Sequence, residues 1–353
     1  MTVAITAVVA HGLNPAASAP KTLLRAGQRT RNFLIWINYT AGARPLAWLP
    51  MTALPDATER PRFCGALWNL GFRPLYLCAG AFATLALGVW AARVAGWSGG
   101  GGYLAHPYWH AHEMIFGYAL AVIAGFLFTA VRNWTGLPTP AGATLAATVA
   151  LWLAARLLLA TPWPFASLAA DLAFVMAVAA GIGVPLVRSG NRRNYFFIAL
   201  LLLLGGANLA FHLAMAGALA LDVRGVLQVA LDVLAFIMAL MAGRVVPMFT
   251  ANALRGVRPL QRAWLERAAP AVLAALVVAD LAAPAAAAAI AGAAAIIHGW
   301  RLALWQPQAT RRTPILWVLH VAYAWIVVYL GLRALTGVCL LYTSDAADDT
   351  PCV

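Results

Sequence analysis

The chain has 353 residues, of which 63% are hydrophobic and 10% charged, whereas about 25% of the residues in a soluble domain are charged. Its net charge of +13 comes mostly from arginines in alternate loops, a pattern that is typical of membrane proteins and does not indicate a nucleic-acid partner. Alternating segments of about ten residues are absent, which excludes a transmembrane barrel. We therefore predict an all-α, polytopic transmembrane helical bundle in the lipid bilayer.

The chain divides into three parts by composition. Residues 1–66 mix Ala, Pro and Arg with short apolar pieces, which predicts a poorly ordered cytoplasmic leader. Residues 67–337 form the transmembrane domain. Residues 338–353 change abruptly in composition and resemble one reading frame of a transposon-end adapter used in sequencing libraries. We therefore expect a non-native tail on a chain whose natural form continues.

Nine apolar segments predict membrane spans. Arginines precede the first span and occupy the loops after the fourth, sixth and eighth, so the positive-inside rule places the N-terminus in the cytoplasm. The predicted spans are Leu75–Val94, Trp109–Val131, Ala143–Ala160, Ser167–Val187, Tyr195–Ala216, Val226–Phe249, Pro270–Leu281, Ala285–Leu304 and Pro314–Leu335.

The segment His106–Gly136 places three histidines and a glutamate within eight residues. At 100° per residue, His106, His110 and Glu113 share one helix face, and His112 points to the other side. Neutral imidazole is a common ligand for copper, zinc or haem iron. We predict a metal- or haem-binding head in which Glu113 orients His110. The alternative is an interfacial polar cap bonded to loop backbone.

Two further histidines lie in the middle of predicted spans. His212 shares a helix face with Asn208, and His320 lies near Tyr323. Two such histidines on facing helices could hold haem b between axial nitrogens from opposite sides. The alternative is a pair of interhelical hydrogen bonds, because histidine joins membrane helices as asparagine does.

Ionisable residues inside spans indicate either function or ion pairing, because their burial in lipid is costly. Asp171 and Asp232 could each relay protons or hold a haem propionate. Each could instead pair with Arg156 or Arg244, and for Asp171 we predict the structural ion pair. Arg244 lies just before Pro247, which indicates a broken helix end of the kind that lines functional sites.

The motifs WHAHEMIFG at residues 109–117 and NWTG at residues 133–136 resemble the signature of the NnrS family. The resemblance extends over about Leu67–Leu335. Supporting motifs, in the family's order, are GFRP at 71–74, GRVVPMFT at 243–250 and WVLH at 317–320.

The resemblance implies a bacterial inner-membrane protein of about twelve spans, with haem and copper, linked to denitrification and to nitric oxide tolerance. This sequence departs from the family at three places. Arg132 stands where the family commonly has proline, the leader has no recognised counterpart, and the last three spans, which carry a further histidine segment, are expected to be missing.

We therefore expect a haem b- and copper-containing membrane protein that acts under nitrosative stress and binds nitric oxide or a redox-active metal. The alternatives are a proton- or ion-coupled transporter with Asp232, Asn208 and His212 along its path, and a structural or assembly partner. No catalytic cycle follows from the sequence. The expected metal or haem ligands are His106, His110, His112, His212 and His320, and the expected supporting residues are Glu113, Asn208, Asp232, Arg244 and Tyr323.

Overall fold

The computed structural model describes residues 66–96, 102–104, 106–254 and 256–348, with all of their side chains except those of His106 and residues 337–348. The predicted leader, apart from Ala66, lies outside these residues. So do the side chains of the predicted tail and of His106, one of the expected ligands.

Nine α-helices make up the described part of the chain, which contains no strand. They are α1 (Phe72–Val94), α2 (His106–His112, a π-helical turn at Glu113–Ala119, and Leu120–Thr135), α3 (Gly142–Leu159), α4 (Pro164–Arg188), α5 (Phe196–Met215), α6 (Val223–Ala253), α7 (Ala263–Ala282), α8 (Pro284–Leu304) and α9 (Pro314–Asp348).

Eight of the nine described helices are long and apolar enough to cross a membrane, which confirms the predicted fold class. The exception is α7, which corresponds to the seventh predicted span. Its 20 residues include the charged side chains of Glu266, Arg267 and Asp280. The segment is therefore a helix of this bundle, and its three charged side chains set it apart from the other eight.

Local sequence sets the ends of several helices. Proline occupies the first turn of α4 and of α8, where its missing N–H leaves no bond unmade. Asp222 caps α6, since its carboxylate accepts hydrogen bonds from the backbone N–H groups of Arg224 and Gly225. Gly136 ends α2 with a φ of 68°, in the left-handed region that glycine adopts without strain.

Two apolar cores fill the space between the helices. The first draws mainly on α1 to α6 and includes Phe128, Trp152 and Phe174. The second lies between α6, α7, α8 and α9 and includes Trp305 and Tyr323. Because α6 contributes to both cores, it joins the two halves of the bundle.

Candidate metal centre

Four helix ends meet at one end of the first core. Because short connections turn the chain back on itself, α2 and α4 begin there, and α3 and α5 end there. Each helix brings an ionisable side chain to this point: His112 from α2, Arg156 from α3, Asp171 from α4 and His212 from α5. His112, Asp171 and His212 are each at most 2% exposed. Such a buried set within membrane helices indicates a functional site.

Three potential ligand atoms converge in this cluster. His112 Nε2 lies 3.2 Å from His212 Nε2 and 3.4 Å from Asp171 Oδ2. His212 Nε2 lies 3.5 Å from the same carboxylate oxygen. The three side chains are therefore close enough together to hold one metal ion.

Arg156 links the two carboxylates of the site. Its Nη1 donates to Glu113 Oε2 at 2.6 Å, and its Nη2 donates to Asp171 Oδ1, which confirms the predicted Asp171–Arg156 ion pair. Glu113 Oε1 and Asp171 Oδ2 are buried without a hydrogen-bond partner. Glu113 Oε1 lies 3.7 Å from His112 Nδ1, so each carboxylate presents its free oxygen to the histidines.

Tyr103 contacts the cluster from the connection between α1 and α2, outside the spans. Its hydroxyl is hydrogen-bonded to His212 Nδ1. Burial, reinforced by the negative charge of Asp171, raises the pKa of Tyr103 well above its ordinary value. The phenol therefore stays protonated at neutral pH and holds the imidazole ring of His212 in place.

Aromatic rings and one amide complete the surroundings of His112. The rings of Phe116 and Phe211 each lie 5.1 Å from the imidazole, centroid to centroid. Asn208 Oδ1 lies 3.0 Å from His112 Nε2. The site thus combines a few polar groups with apolar walls that exclude water.

A π-helical turn, Glu113–Ala119, follows His112 directly. The N–H of Leu120 bonds to the carbonyl of Ile115, five residues earlier. Such a turn inserts one extra residue into an α-helix and is frequent at functional sites. Here the π-helical turn changes the register of α2 directly after His112.

Gly117 provides the space that the ion pair occupies. A Cβ atom at this position would lie 2.5 Å from Glu113 Oε2 and 2.8 Å from Arg156 Nη1. The carbonyl of Gly117 accepts a hydrogen bond of 2.9 Å from Trp152 Nε1. Glycine is therefore required here by the close approach of the ion pair.

The expected histidine ligands do not all belong to this cluster. His110 stacks on Trp90, with ring centroids 4.4 Å apart, and Glu113, expected beside His110, faces Arg156 and His112 instead. The histidine that meets His212 is His112 rather than the predicted His320.

His320 lies in α9 with its own surroundings. Its Nδ1 is 3.0 Å from the carbonyl of Leu316. Its Nε2 is buried without a hydrogen-bond partner. His320 therefore has one nitrogen that could coordinate a metal.

Asp232 has a different partner from those predicted. It forms an ion pair with Arg333 and accepts a hydrogen bond of 2.8 Å from the hydroxyl of Tyr329. The predicted pairing with Arg244 or Arg156 is wrong. Arg244 lies twelve residues further along the same helix, about 18 Å away at 1.5 Å per residue, and Arg156 is occupied by two other carboxylates.

Arg244 and Tyr323, two expected supporting residues, lie outside the cluster. Arg244 donates to Asn194 Oδ1 at 3.0 Å. The hydroxyl of Tyr323 accepts from Arg301 Nη1 at 3.2 Å and contacts His298 Nδ1. Both side chains join helices away from the metal centre.

Tyr103 was not predicted from the sequence, and Arg156 was considered only as an ion-pair partner. Helical periodicity predicts which residues share a face within a span, but it gives no information about the connections between spans. The only indication that Tyr103 could belong to the site is its position three residues before His106. The charge of Arg156 inside a span was the available signal.

Comparison with known families gives one match. The sequence model of the family described as NnrS protein matches residues 66–347, which is most of the chain and includes the whole cluster. No curated protein and no solved structure matches the chain.

Proposed function

The chain belongs to the NnrS family, and from this membership we propose that it is a haem- and copper-containing protein of the bacterial inner membrane that acts in nitric oxide tolerance. The observation that carries the proposal is the buried cluster of His112, Asp171 and His212. These residues would hold a metal, which when bound would supply a centre for nitric oxide.

The donor atoms of the cluster suit copper. Two imidazole nitrogens and one carboxylate oxygen are ligands that Cu(II) accepts, and Asp171 Oδ2 is buried without a hydrogen-bond partner. For haem b, His320 offers a buried Nε2 that lacks a partner, and His110 offers a half-buried ring beside Trp90. The cluster therefore has candidate ligands for copper. His110 and His320 lie toward opposite ends of the bundle, because α2 begins at the cluster and α9 at the other end, so each could supply one ligand to a haem but not both to the same haem.

The residues of the chain would bind, orient and shield the centre. Arg156 holds the carboxylates of Asp171 and Glu113 in position, and Tyr103 fixes the ring of His212. The phenyl rings beside His112 exclude water, which suits a small, weakly polar molecule such as nitric oxide.

The distribution of arginines supports the proposed orientation. Arg192 and Arg193, before α5, and Arg311 and Arg312, before α9, belong to the end of the bundle opposite the cluster. Since arginine-rich loops remain in the cytoplasm, we propose a cytoplasmic N-terminus and a metal centre at the periplasmic end. Neither the fold nor the family match supports the alternative of a transporter.

An absorption spectrum of the detergent-purified full chain, reduced minus oxidised, tests the proposal together with copper and haem analysis. We expect metal in the wild type and a spectrum that changes with nitric oxide. The variants H110A, H112A, H212A and H320A identify the ligands, because a variant that lacks a ligand should lose the copper or the haem which that histidine holds. A metal-free, colourless protein that does not respond to nitric oxide would refute the proposal.

A further inference from the structure

The positions of the two histidines in the cluster argue against haem at this site. Two axial nitrogens with bonds of about 2.0 Å lie roughly 4 Å apart, with the porphyrin plane between them. His112 Nε2 and His212 Nε2 are only 3.2 Å apart. Asp171 Oδ2, at 3.4 and 3.5 Å from them, would lie in the path of the porphyrin. These nitrogens are therefore neighbouring ligands of one ion rather than opposite ligands of a haem.

The size of the ligand triangle fits a small metal ion. With bonds of about 2.0–2.2 Å, ligands at the corners of a tetrahedron are separated by roughly 3.3–3.6 Å. The three observed separations, 3.2, 3.4 and 3.5 Å, are close to this range. Three protein ligands leave one tetrahedral position open, as in metal centres that bind an exogenous molecule.

The outer contacts of the histidines select the nitrogens that face the ion. When Nε2 coordinates a metal, Nδ1–H donates to a partner that fixes the tautomer and the ring orientation. Tyr103 provides that partner for His212, and Glu113 Oε1, 3.7 Å away, is placed to provide it for His112. For His212 the inner nitrogen is at the triangle and the outer nitrogen bonds to Tyr103. For His112, Nδ1 is buried without a hydrogen-bond partner, and Nε2 also lies 3.0 Å from Asn208 Oδ1, so a bound ion would take this nitrogen from Asn208.

The charges of the cluster also favour a cation. Glu113 and Asp171 contribute two carboxylates, and Arg156 contributes one guanidinium. With neutral histidines the cluster therefore carries one excess negative charge. A buried charge without a counterion is costly, so this negative charge favours a cation; a divalent ion would bring the net charge of the cluster from −1 to +1.

We infer that His112 Nε2, His212 Nε2 and Asp171 Oδ2 form a mononuclear, non-haem site for a divalent transition-metal ion, with one coordination position open. Any haem of this protein is then held by other residues. The inference rests on the cluster used for the proposed function and names its ligand atoms and the class of metal. Imidazole and carboxylate ligands suit Cu²⁺, Fe²⁺ or Zn²⁺.

Titration of the metal-stripped full chain in detergent with Cu²⁺, followed by electron paramagnetic resonance, tests the inference. We expect one Cu²⁺ per chain and a hyperfine pattern from two imidazole nitrogens. The variants H112A, H212A and D171N should each bind Cu²⁺ at least tenfold more weakly. Y103F, which keeps the three ligands, should lose about 10–100-fold in affinity through its supporting role.

Asp232→Asn is the matched control, because Asp232 is also a buried aspartate paired with an arginine but belongs to the other core. It should bind Cu²⁺ like the wild type. Wild-type Cu²⁺ without the two-nitrogen pattern would overturn the inference whether or not the variants fold. Loss of a bis-histidine haem spectrum in both H112A and H212A would also overturn it.

The outcomes separate this inference from the proposed function. If Cu²⁺ binds through these ligands and nitric oxide leaves every metal spectrum unchanged, the site is established and the proposed function fails. If nitric oxide binds a haem while the cluster takes no Cu²⁺, the inference fails together with the copper part of the proposed function, and nitric oxide binding through haem stands.

Discussion

Gly117 shows how closely a single residue is fitted to the ion pair beside the cluster. An alanine methyl group would collide with Glu113 and with Arg156, and overpacking of this kind costs about 1–3 kcal/mol. We therefore expect Gly117→Ala to lower the melting temperature in detergent.

Gly80→Ala serves as the control for Gly117→Ala. Gly80 also lies within a helix, but nothing lies within 4 Å of its added Cβ, so alanine should leave the stability unchanged or raise it. Equal melting temperatures for the two variants would show that the space at Gly117 is not limiting.

Arg156 is the shared counterion of two buried carboxylates, and its removal leaves both without one. Because breaking a buried ion pair costs about 3–5 kcal/mol, Arg156→Ala should be strongly destabilised in denaturant unfolding. Arg224→Ala removes an exposed arginine, and we expect a change within about 0.5 kcal/mol. Comparable losses in the two variants would contradict the role given to Arg156.

Sequence reasoning at the residue scale named both histidines of the cluster but not their association with each other. His112 and His212 were both predicted ligands, yet Glu113 was assigned to His110. A regular α-helix with 100° per residue gives that assignment. The described structure instead buries His112 and Glu113 together, because α3, α4 and α5 surround this end of α2 and provide partners on more than one side.

The π-helical turn of α2 is supported by a contact from another helix. Trp152 of α3 donates its indole N–H to the carbonyl of Gly117. Trp152→Phe keeps an aromatic ring but leaves this buried carbonyl without the bond, at a cost of about 1–3 kcal/mol. Thermal unfolding should show the loss, and amide hydrogen exchange should show faster opening of Glu113–Ala119.

Trp163→Phe is the comparison for Trp152→Phe, since Trp163 is 62% exposed. We expect little change in stability for this variant. Unaltered exchange of the π-helical turn in Trp152→Phe would mean that α3 does not support it.

Most of the helices were predictable, and the π turn was not. The long apolar runs define the spans because a helix needs about 20 apolar residues to cross a bilayer. Each helix end depends on a local signal, such as the proline of α4 or Gly136 after α2. The π turn depends on contacts from α3, which periodicity within α2 does not reveal.

The two cores of the molecule should respond separately to substitution. Arg333 pairs with Asp232 and Asp280 across α6, α7 and α9. Arg333→Ala leaves these aspartates without their guanidinium, so we expect a loss of about 3–5 kcal/mol. Because the metal centre lies in the first core, Cu²⁺ affinity should stay within about twofold of the wild type, the scatter expected of independent sites.

Arg156→Ala is the comparison for Arg333→Ala, because it changes the first core instead of the second. It removes an arginine that contacts the cluster itself, so stability should fall and Cu²⁺ affinity should change by more than about twofold. If Arg333→Ala also lost its metal, the two cores would be one cooperative unit.

At the scale of the whole molecule, the sequence predicts the helical bundle but not which side chains pair between its helices. Hydropathy and the arginine pattern indicate helices and their order, whereas Arg333 reaches Asp232 from 101 residues away in the sequence. Side-chain pairs of this separation depend on which helices pack together, and α6 and α9 pack together in the second core.

The depth of the cluster within the helices would give an ion and a gas different routes to it. His112 is the last residue of the seven-residue segment that begins α2, Asp171 lies two turns into α4, and His212 lies one turn before the end of α5. At 1.5 Å per residue, the cluster lies about 5–10 Å inside the helix ends, in the outer third of a hydrocarbon layer about 30 Å thick. A hydrated ion would travel this short distance from one aqueous side, past Tyr103, whereas nitric oxide dissolved among the acyl chains would approach sideways between the helices.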